Sequence, residues 1–141
     1  MVVTFCGHHD VQQSDMLYQK LKSTLRELIA EGADTFLLGG YGAFDVMAAS
    51  VLHELKSEYP HIRSTLVIAY LNRSYSSELY DDTLYPPLEN TPRRFAILRR
   101  NEWMIAHADT VIFYVIHDWG GAASTLRFAK RKHKRIVSLE E

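Results

Sequence analysis

Five short apolar runs alternate with helix-like stretches, and this rhythm constrains the fold more than any other feature of the chain. The runs span residues 2–5, 35–38, 65–70, 110–115 and 136–139. They are rich in β-branched and aromatic residues and lack polar alternation, which is typical of strands buried on both faces. We therefore predict a three-layer α/β/α Rossmann-like sandwich, with helices on both faces of a mainly parallel sheet of about five strands.

The stretches between the runs have helical periodicity. In the first, leucines recur at three- and four-residue spacing and mark one apolar face: Leu17, Leu21, Leu25 and Leu28. Ser14 or Asp15 can cap this helix at its start, and Gly32 can end it in a left-handed conformation. Further helices are predicted at residues 44–56, 92–108 and 123–132.

Composition narrows the class of protein. The 141 residues suit one domain, residues 1–141, and the net charge of -1 argues against a dedicated nucleic-acid binder. The single cysteine, Cys6, and the absence of a signal-like leader predict a cytoplasmic protein. No apolar run approaches the roughly 18 residues of a membrane span, so no membrane association is expected.

Residues 71–92 interrupt the rhythm with tyrosines, an Asp-Asp pair and a Pro-Pro pair. A loop this long inside a compact domain is often functional. We interpret it either as a lid over a ligand or as a surface excursion without a role.

Three turns have the composition of ligand loops. In an open α/β sheet, ligands bind at the carboxyl ends of the strands. The turn after the first strand contributes Gly7 and His8. After the fourth strand, Gly120 and Gly121 open a helix whose N-terminus favours a phosphate, with Ser124 and Thr125 as extra donors. The alternative is a plain turn in which Ser124 or Thr125 caps the helix.

The turn after the second strand holds three glycines within four residues, Gly39, Gly40 and Gly42. Such a turn indicates close approach of another group to the backbone. Asp45, in the first turn of the next helix, can accept hydrogen bonds from a ribose. It can equally complement the helix dipole and do nothing else.

Four blocks follow one another along the chain: Thr4-Phe5-Cys6-Gly7-His8, Gly39-Gly40-x-Gly42-x-Phe44-Asp45, Arg100-Asn101-x-x-Met104 followed by Ala108-Asp109, and Gly120-Gly121. In this order they resemble the SLOG superfamily, which contains the LOG phosphoribohydrolases and many small bacterial proteins. The resemblance implies a Rossmann-like domain that binds nucleotides or nucleotide derivatives through its glycine turns. It also implies that Arg99 or Arg100 keeps the phosphate-binding role of the family arginine.

The catalytic motif of the LOG enzymes is not retained. Relative to that motif, Trp119 replaces a proline, Ala123 a glycine and Ser124 a threonine, and Arg127 stands at the position of the catalytic glutamate. A carboxylate would stabilise the oxocarbenium-like state of N-glycosidic cleavage, whereas a guanidinium would oppose it. The sequence therefore argues against LOG-type hydrolysis.

Our leading hypothesis is a domain that binds or senses a nucleotide-derived ligand without catalysis. The second is a hydrolase acting on an N-glycosidic or phosphate bond, with Asp45 and Asp118 as candidate carboxylates. A third is a protein-interaction or oligomerisation module in which the pocket is vestigial. Trp103 and Met104, on the helix that carries the arginines, are interpreted as core or subunit contacts rather than as base-stacking platforms.

We predict neither a metal nor a cofactor. Cys6, His8 and His9 lie close together in sequence, but adjacent histidines without a second ligand cluster are weak evidence for zinc or for a Cys-His nucleophile. The basic run 130–135 is interpreted as a solvated helix end rather than a nucleic-acid contact.

Overall fold

The computed structural model describes residues 1–8, 14–71, 75, 78–116 and 118–139. Along these residues, the helices are α1 (Asp15–Ala30), α2 (Ala43–Leu55), α3 (Ala96–Ala106) and α4 (Gly121–Arg131), with a 3₁₀ turn (Arg93–Phe95) before α3. The strands are β1 (Val2–Gly7), β2 (Thr35–Leu38), β3 (Arg63–Val67), β4 (Asp82–Leu84), β5 (Thr110–Tyr114) and β6 (Arg135–Ser138).

All six strands form one parallel sheet in the order β4-β3-β2-β1-β5-β6. The chain proceeds outward from β1 to β4, returns to the other side of β1 as β5, and ends with β6. Strand order therefore reverses between β1 and β5, which is where open α/β sheets form a ligand crevice. The predicted Rossmann-like class is confirmed.

Strand β4 is additional to the five predicted strands and lies inside residues 71–92, the segment predicted to be a lid or a surface loop. It has only three residues, all exposed, and it pairs with β3 at the edge of the sheet. Arg63 holds it through two nitrogens that donate to the carboxylate of Asp82 at 2.8–3.0 Å. A polar edge strand of this length shows no apolar run, so periodicity could not reveal it. Residues 72–74 and 76–77 of the predicted lid lie outside the described residues.

The ends of α1 follow the sequence signals. Ser14, rather than Asp15, caps the helix, because its hydroxyl accepts from the backbone N–H of Leu17 at 3.1 Å. Gly32 follows the helix with φ +113°, as predicted. The four leucines of the apolar face are all buried.

The two faces of the sheet carry unequal cores. The larger core packs α1 and α2 on the sheet, where Phe5 contacts both Phe36 and Phe44. The smaller core packs α4 against Cys6 and Val111. No helix within the described residues is long and apolar enough to cross a bilayer.

Candidate functional site

A cavity of about 190 Å³ lies at the carboxyl end of β1, at the reversal of strand order. Four parts of the chain line it: the end of β1, the start of α2, one face of α3, and the turn that leads into α4. These elements meet because parallel strands all end at the same edge of the sheet.

The β1 wall is formed by residues 5–8. A Cβ at Gly7 would lie 2.3 Å from Cδ2 of Phe44, so only glycine fits between the strand and α2. His8 is buried, and its Nε2 accepts a hydrogen bond from the backbone N–H of Ile116 at 3.0 Å. This bond places the proton of a neutral imidazole on Nδ1 and ties the end of β1 to the chain that follows β5.

Cys6 is a packing residue in this wall. Its Sγ donates to the carbonyl of Ala122 at 3.1 Å. Burial, reinforced by the nearby Asp45, raises the pKa of the Cys6 thiol to about 12. A thiol with this pKa is not ionised at neutral pH, so burial in this wall does not activate Cys6 as a nucleophile.

The α3 wall carries a buried cation. Arg100 is 3% exposed; its Nη1 donates to the carbonyls of Gly39 at 2.9 Å and Val67 at 3.0 Å, and its Nε donates to Oδ1 of Asn101 at 2.9 Å. The third nitrogen, Nη2, takes part in none of these bonds. Burial lowers the pKa of Arg100 and Asp45 opposes that shift, but arginine remains protonated at neutral pH. The cavity therefore has a fixed positive charge in its wall.

Asp45 supplies a carboxyl group at the start of α2. Its Oδ2 accepts from the backbone N–H of Gly39 at 3.0 Å. Burial raises the pKa of Asp45 to about 6, and Arg100 together with the amides of Gly39, Gly40 and Tyr41 limits the rise. This carboxyl group ionises close to neutral pH.

The turn before α4 is the open part of the site. Gly120 precedes the helix with φ +92°, and no side chain of the described residues caps the helix N-terminus. A Cβ placed on Gly120 or Gly121 would meet no atom within 4 Å. The first amides of α4 and the positive end of its dipole therefore border empty space on the cavity wall, as an anion site requires.

Seven of the residues predicted from sequence line this cavity together: Gly7, His8, Asp45, Arg100, Gly120, Gly121 and Thr125. Thr125 uses its hydroxyl as a donor to the carbonyl of Gly121 at 2.9 Å. Neither Ser124 nor Thr125 caps the helix, because α4 begins at Gly121 and the cap position falls on Gly120.

The other predicted residues lie elsewhere. Gly39, Gly40 and Gly42 are outside the cavity wall, as are Arg99, Ser124 and Asp118. Arg99 is exposed and pairs with Glu102 at 2.6 Å.

On the outer side of α4, Arg127 donates to the carbonyl of Asp118 at 3.1 Å, and both residues line a shallow depression away from the cavity. The structure therefore does not bring Asp118 together with Asp45.

Several further wall residues were not among the predicted site residues: Tyr41, Ile97, Asn101 and Trp119 are examples, although Tyr41 and Trp119 lie in turns that were predicted to line the crevice. The α3 residues recur at helical spacing with Arg100 and Met104, a signal that could have identified one inward face. For Tyr41 and Trp119 the sequence signal was weaker, because it consisted only of their position next to glycines in the predicted turns. Met104 is buried against Leu37 and Val67, in agreement with a core contact.

Among the described residues, no group of three or more histidine, cysteine, aspartate or glutamate side chains could hold a metal ion. His9, which was considered above as a zinc ligand with Cys6 and His8, lies outside the described residues.

With this geometry in place, comparison with known proteins defines the class. The model of the YspA SLOG family (YpsA) matches residues 6–83, more than half of the chain. The chain therefore belongs to this family, and the predicted resemblance to the SLOG superfamily is confirmed. No curated protein matches the chain.

Solved structures with the same fold are distant in sequence. DNA processing protein A from Helicobacter pylori, known for a single-stranded DNA binding mode, superposes with a TM-score of 0.69 at 20% identity, covering 100% of this chain and 66% of that protein. The molybdenum cofactor binding protein from Rippkaea orientalis gives a TM-score of 0.65 at 16% identity, covering 97% and 74%. The Moco carrier protein from Chlamydomonas reinhardtii gives 0.60 at 13% identity, covering 98% and 75%.

Proposed function

We propose that the cavity binds a nucleotide-derived small molecule and that its phosphate lies at the N-terminus of α4. The single observation that carries this proposal is the joint presence, on one cavity, of an uncapped helix N-terminus with open space at Gly120 and Gly121 and the buried guanidinium of Arg100. Both features favour an anion, and neither would be expected around an apolar ligand.

Polar groups of the same cavity suit the sugar of such a ligand. Asn101 uses Oδ1 to accept from Arg100, which leaves its amide nitrogen as a donor. Asp45 lines the cavity as an acceptor for sugar hydroxyls when it is ionised. The structural relatives bind a nucleic acid or a molybdenum cofactor, so a phosphate-containing ligand is consistent with the fold class.

The net charge predicted that nucleic acid is not a partner. The likeness to DNA processing protein A, which has a single-stranded DNA binding mode, does not support that prediction. A single-stranded oligonucleotide therefore belongs in the ligand panel beside free nucleotides. We expect a free nucleotide to suffice, because a cavity of about 190 Å³ is small compared with typical small-molecule sites.

The test is a thermal-shift screen of the full chain with nucleoside mono- and diphosphates, ADP-ribose and a short oligonucleotide. A ligand at 100 times its Kd adds about 2.7 kcal/mol of stability. Gly121→Leu should abolish the shift and leave circular dichroism unchanged, because the new side chain enters open space in the cavity.

The control is Arg127→Leu, which places the same side chain on the outer side of α4. Equal ligand affinity in Gly121→Leu and in the control would overturn the proposal.

A second candidate function is hydrolysis of a nucleotide N-glycosidic or phosphate bond. It is favoured by one observation, the cavity carboxyl group of Asp45 with a pKa of about 6, since a group that ionises near neutrality suits general acid–base chemistry. Release of base or phosphate from the compounds that bind, lost in Asp45→Asn, would support it. Binding without turnover would exclude it.

A further inference from the structure

Two exposed aromatic side chains line the cavity, Tyr41 and Trp119. Tyr41 is 58% exposed and Trp119 is 67% exposed, although both contribute to the cavity wall. Exposed aromatic rings at a binding cavity present a flat apolar surface to a ligand. Such a surface contributes most to binding when a second aromatic ring packs against it.

The two rings come from opposite sides of β1. Tyr41 lies in the turn between β2 and α2, and Trp119 lies in the turn between β5 and α4. Because β2 and β5 are the two neighbours of β1 in the sheet, these turns flank the end of β1 where the cavity opens. Trp119 directly precedes Gly120, the cap residue of α4, and both residues line the cavity.

Cavity size indicates what the rings contact. The volume of about 190 Å³ is below the roughly 300–1,000 Å³ of typical small-molecule sites. A cavity of this size encloses only part of a nucleotide, so the rest of such a ligand would lie at the mouth of the cavity, where the exposed rings are.

We propose, on the basis of the proposed function, that Trp119 and Tyr41 form a stacking subsite for the planar heteroaromatic base of the nucleotide. The base stacks on the Trp119 ring, with Tyr41 on the other side of β1, while the phosphate contacts the amides of Gly120 and Gly121. Every base has an aromatic face, so this subsite selects for the presence of a base rather than for its identity.

Calorimetric titration with the four nucleoside monophosphates and with ribose 5-phosphate tests the subsite. We expect the wild-type chain to bind nucleotides more tightly than ribose 5-phosphate. Trp119→Ala should weaken nucleotide binding roughly tenfold, whereas its affinity for ribose 5-phosphate stays within about twofold. Trp119→Phe should restore most of the loss, because a smaller aromatic face still stacks.

The intrinsic fluorescence gives a second readout, because the chain has only two tryptophans. Trp103 stacks on His107 and is outside the cavity wall. Nucleotides should therefore quench the emission of Trp103→Phe, which retains Trp119, and should leave the emission of Trp119→Phe unchanged.

Equal loss of affinity for both ligand types in Trp119→Ala would overturn the stacking subsite, since it would show damage to the phosphate turn. Unchanged nucleotide affinity would overturn it as well. In both cases the phosphate site of the proposed function would stand. If the wild-type chain bound neither ligand type, the proposed function and this inference would both fail.

Discussion

Two glycine turns of this protein have nearly the same backbone geometry but different surroundings. Gly42 precedes α2 with φ 91° and ψ 166°, and Gly120 precedes α4 with φ 92° and ψ 178°; neither helix has a side-chain cap. Around the first turn, Asp45 binds the amide of Gly39, and a Cβ at Gly40 would lie 2.5 Å from Leu66. At the second turn, a Cβ on Gly120 or Gly121 would meet no other part of the described chain within 4 Å.

The difference shows how one local motif serves two purposes. The first turn binds an anion that the protein itself supplies, the carboxylate of Asp45, and Arg100 packs behind it. Among the described residues, no carboxylate is found to bind the amides of the second turn, which border open space. A glycine-rich turn before a helix therefore predicts an anion near the amides, but not whether that anion is internal or external.

The largest expected effect comes from removing the cation behind the first turn. Arg100→Met leaves the carbonyls of Gly39 and Val67 without their donor and Asp45 without a nearby cation. We expect a loss of about 3–5 kcal/mol in the free energy of unfolding, measured with urea. The matched control is Arg99→Met, which removes an exposed ion pair with Glu102 worth about 0–1 kcal/mol. Similar losses in the two variants would break the comparison.

The next effect is a pH dependence of the free energy of unfolding, which arises from the ionisation of Asp45 in the first turn. The pKa of Asp45 rises from 3.8 to about 6 in the folded state, so the folded chain holds this proton to higher pH than the unfolded chain. The stability that this group contributes is complete below pH 4 and is lost as pH rises through 6.

Asp45→Asn cannot ionise and keeps an acceptor for Gly39. Its free energy of unfolding, relative to wild type, should rise by about 2–3 kcal/mol between pH 4 and pH 7. Urea unfolding at intervals of one pH unit measures this difference. Parallel stability curves for the two proteins would show that the first turn does not hold a desolvated carboxyl group.

The smallest expected effect is the change in stability when one methyl group is added to each turn. A Cβ at Gly39 would lie 2.8 Å from Cζ of Arg100, so Gly39→Ala should displace the guanidinium and cost about 1–2 kcal/mol. Gly121→Ala places its methyl group in open space at the first position of a helix and should change stability by less than about 0.5 kcal/mol. Thermal unfolding of both variants without ligand measures the contrast. A destabilised Gly121→Ala would show that the second turn is packed rather than open.

The amino-acid sequence by itself determined the parallel α/β fold and the positions of its long elements. The apolar runs at β1, β2 and β5 and the leucines of α1 carry this information locally, because burial on both faces of a sheet or on one face of a helix imposes a period. The short polar strand β4 carries no period, so it was recognisable only from its pairing with β3.

Only the tertiary structure shows which glycine turn is filled by other parts of the chain and which borders open space. Asp45, Leu66 and Arg100 fill the space around the first turn, and they come from three separate elements whose meeting no local pattern encodes. Tyr41 and Trp119 likewise reach one cavity only because β2 and β5 flank β1 in the sheet. The spacing of glycines along the chain specifies the turns, whereas long-range packing determines whether other side chains fill the space around each turn.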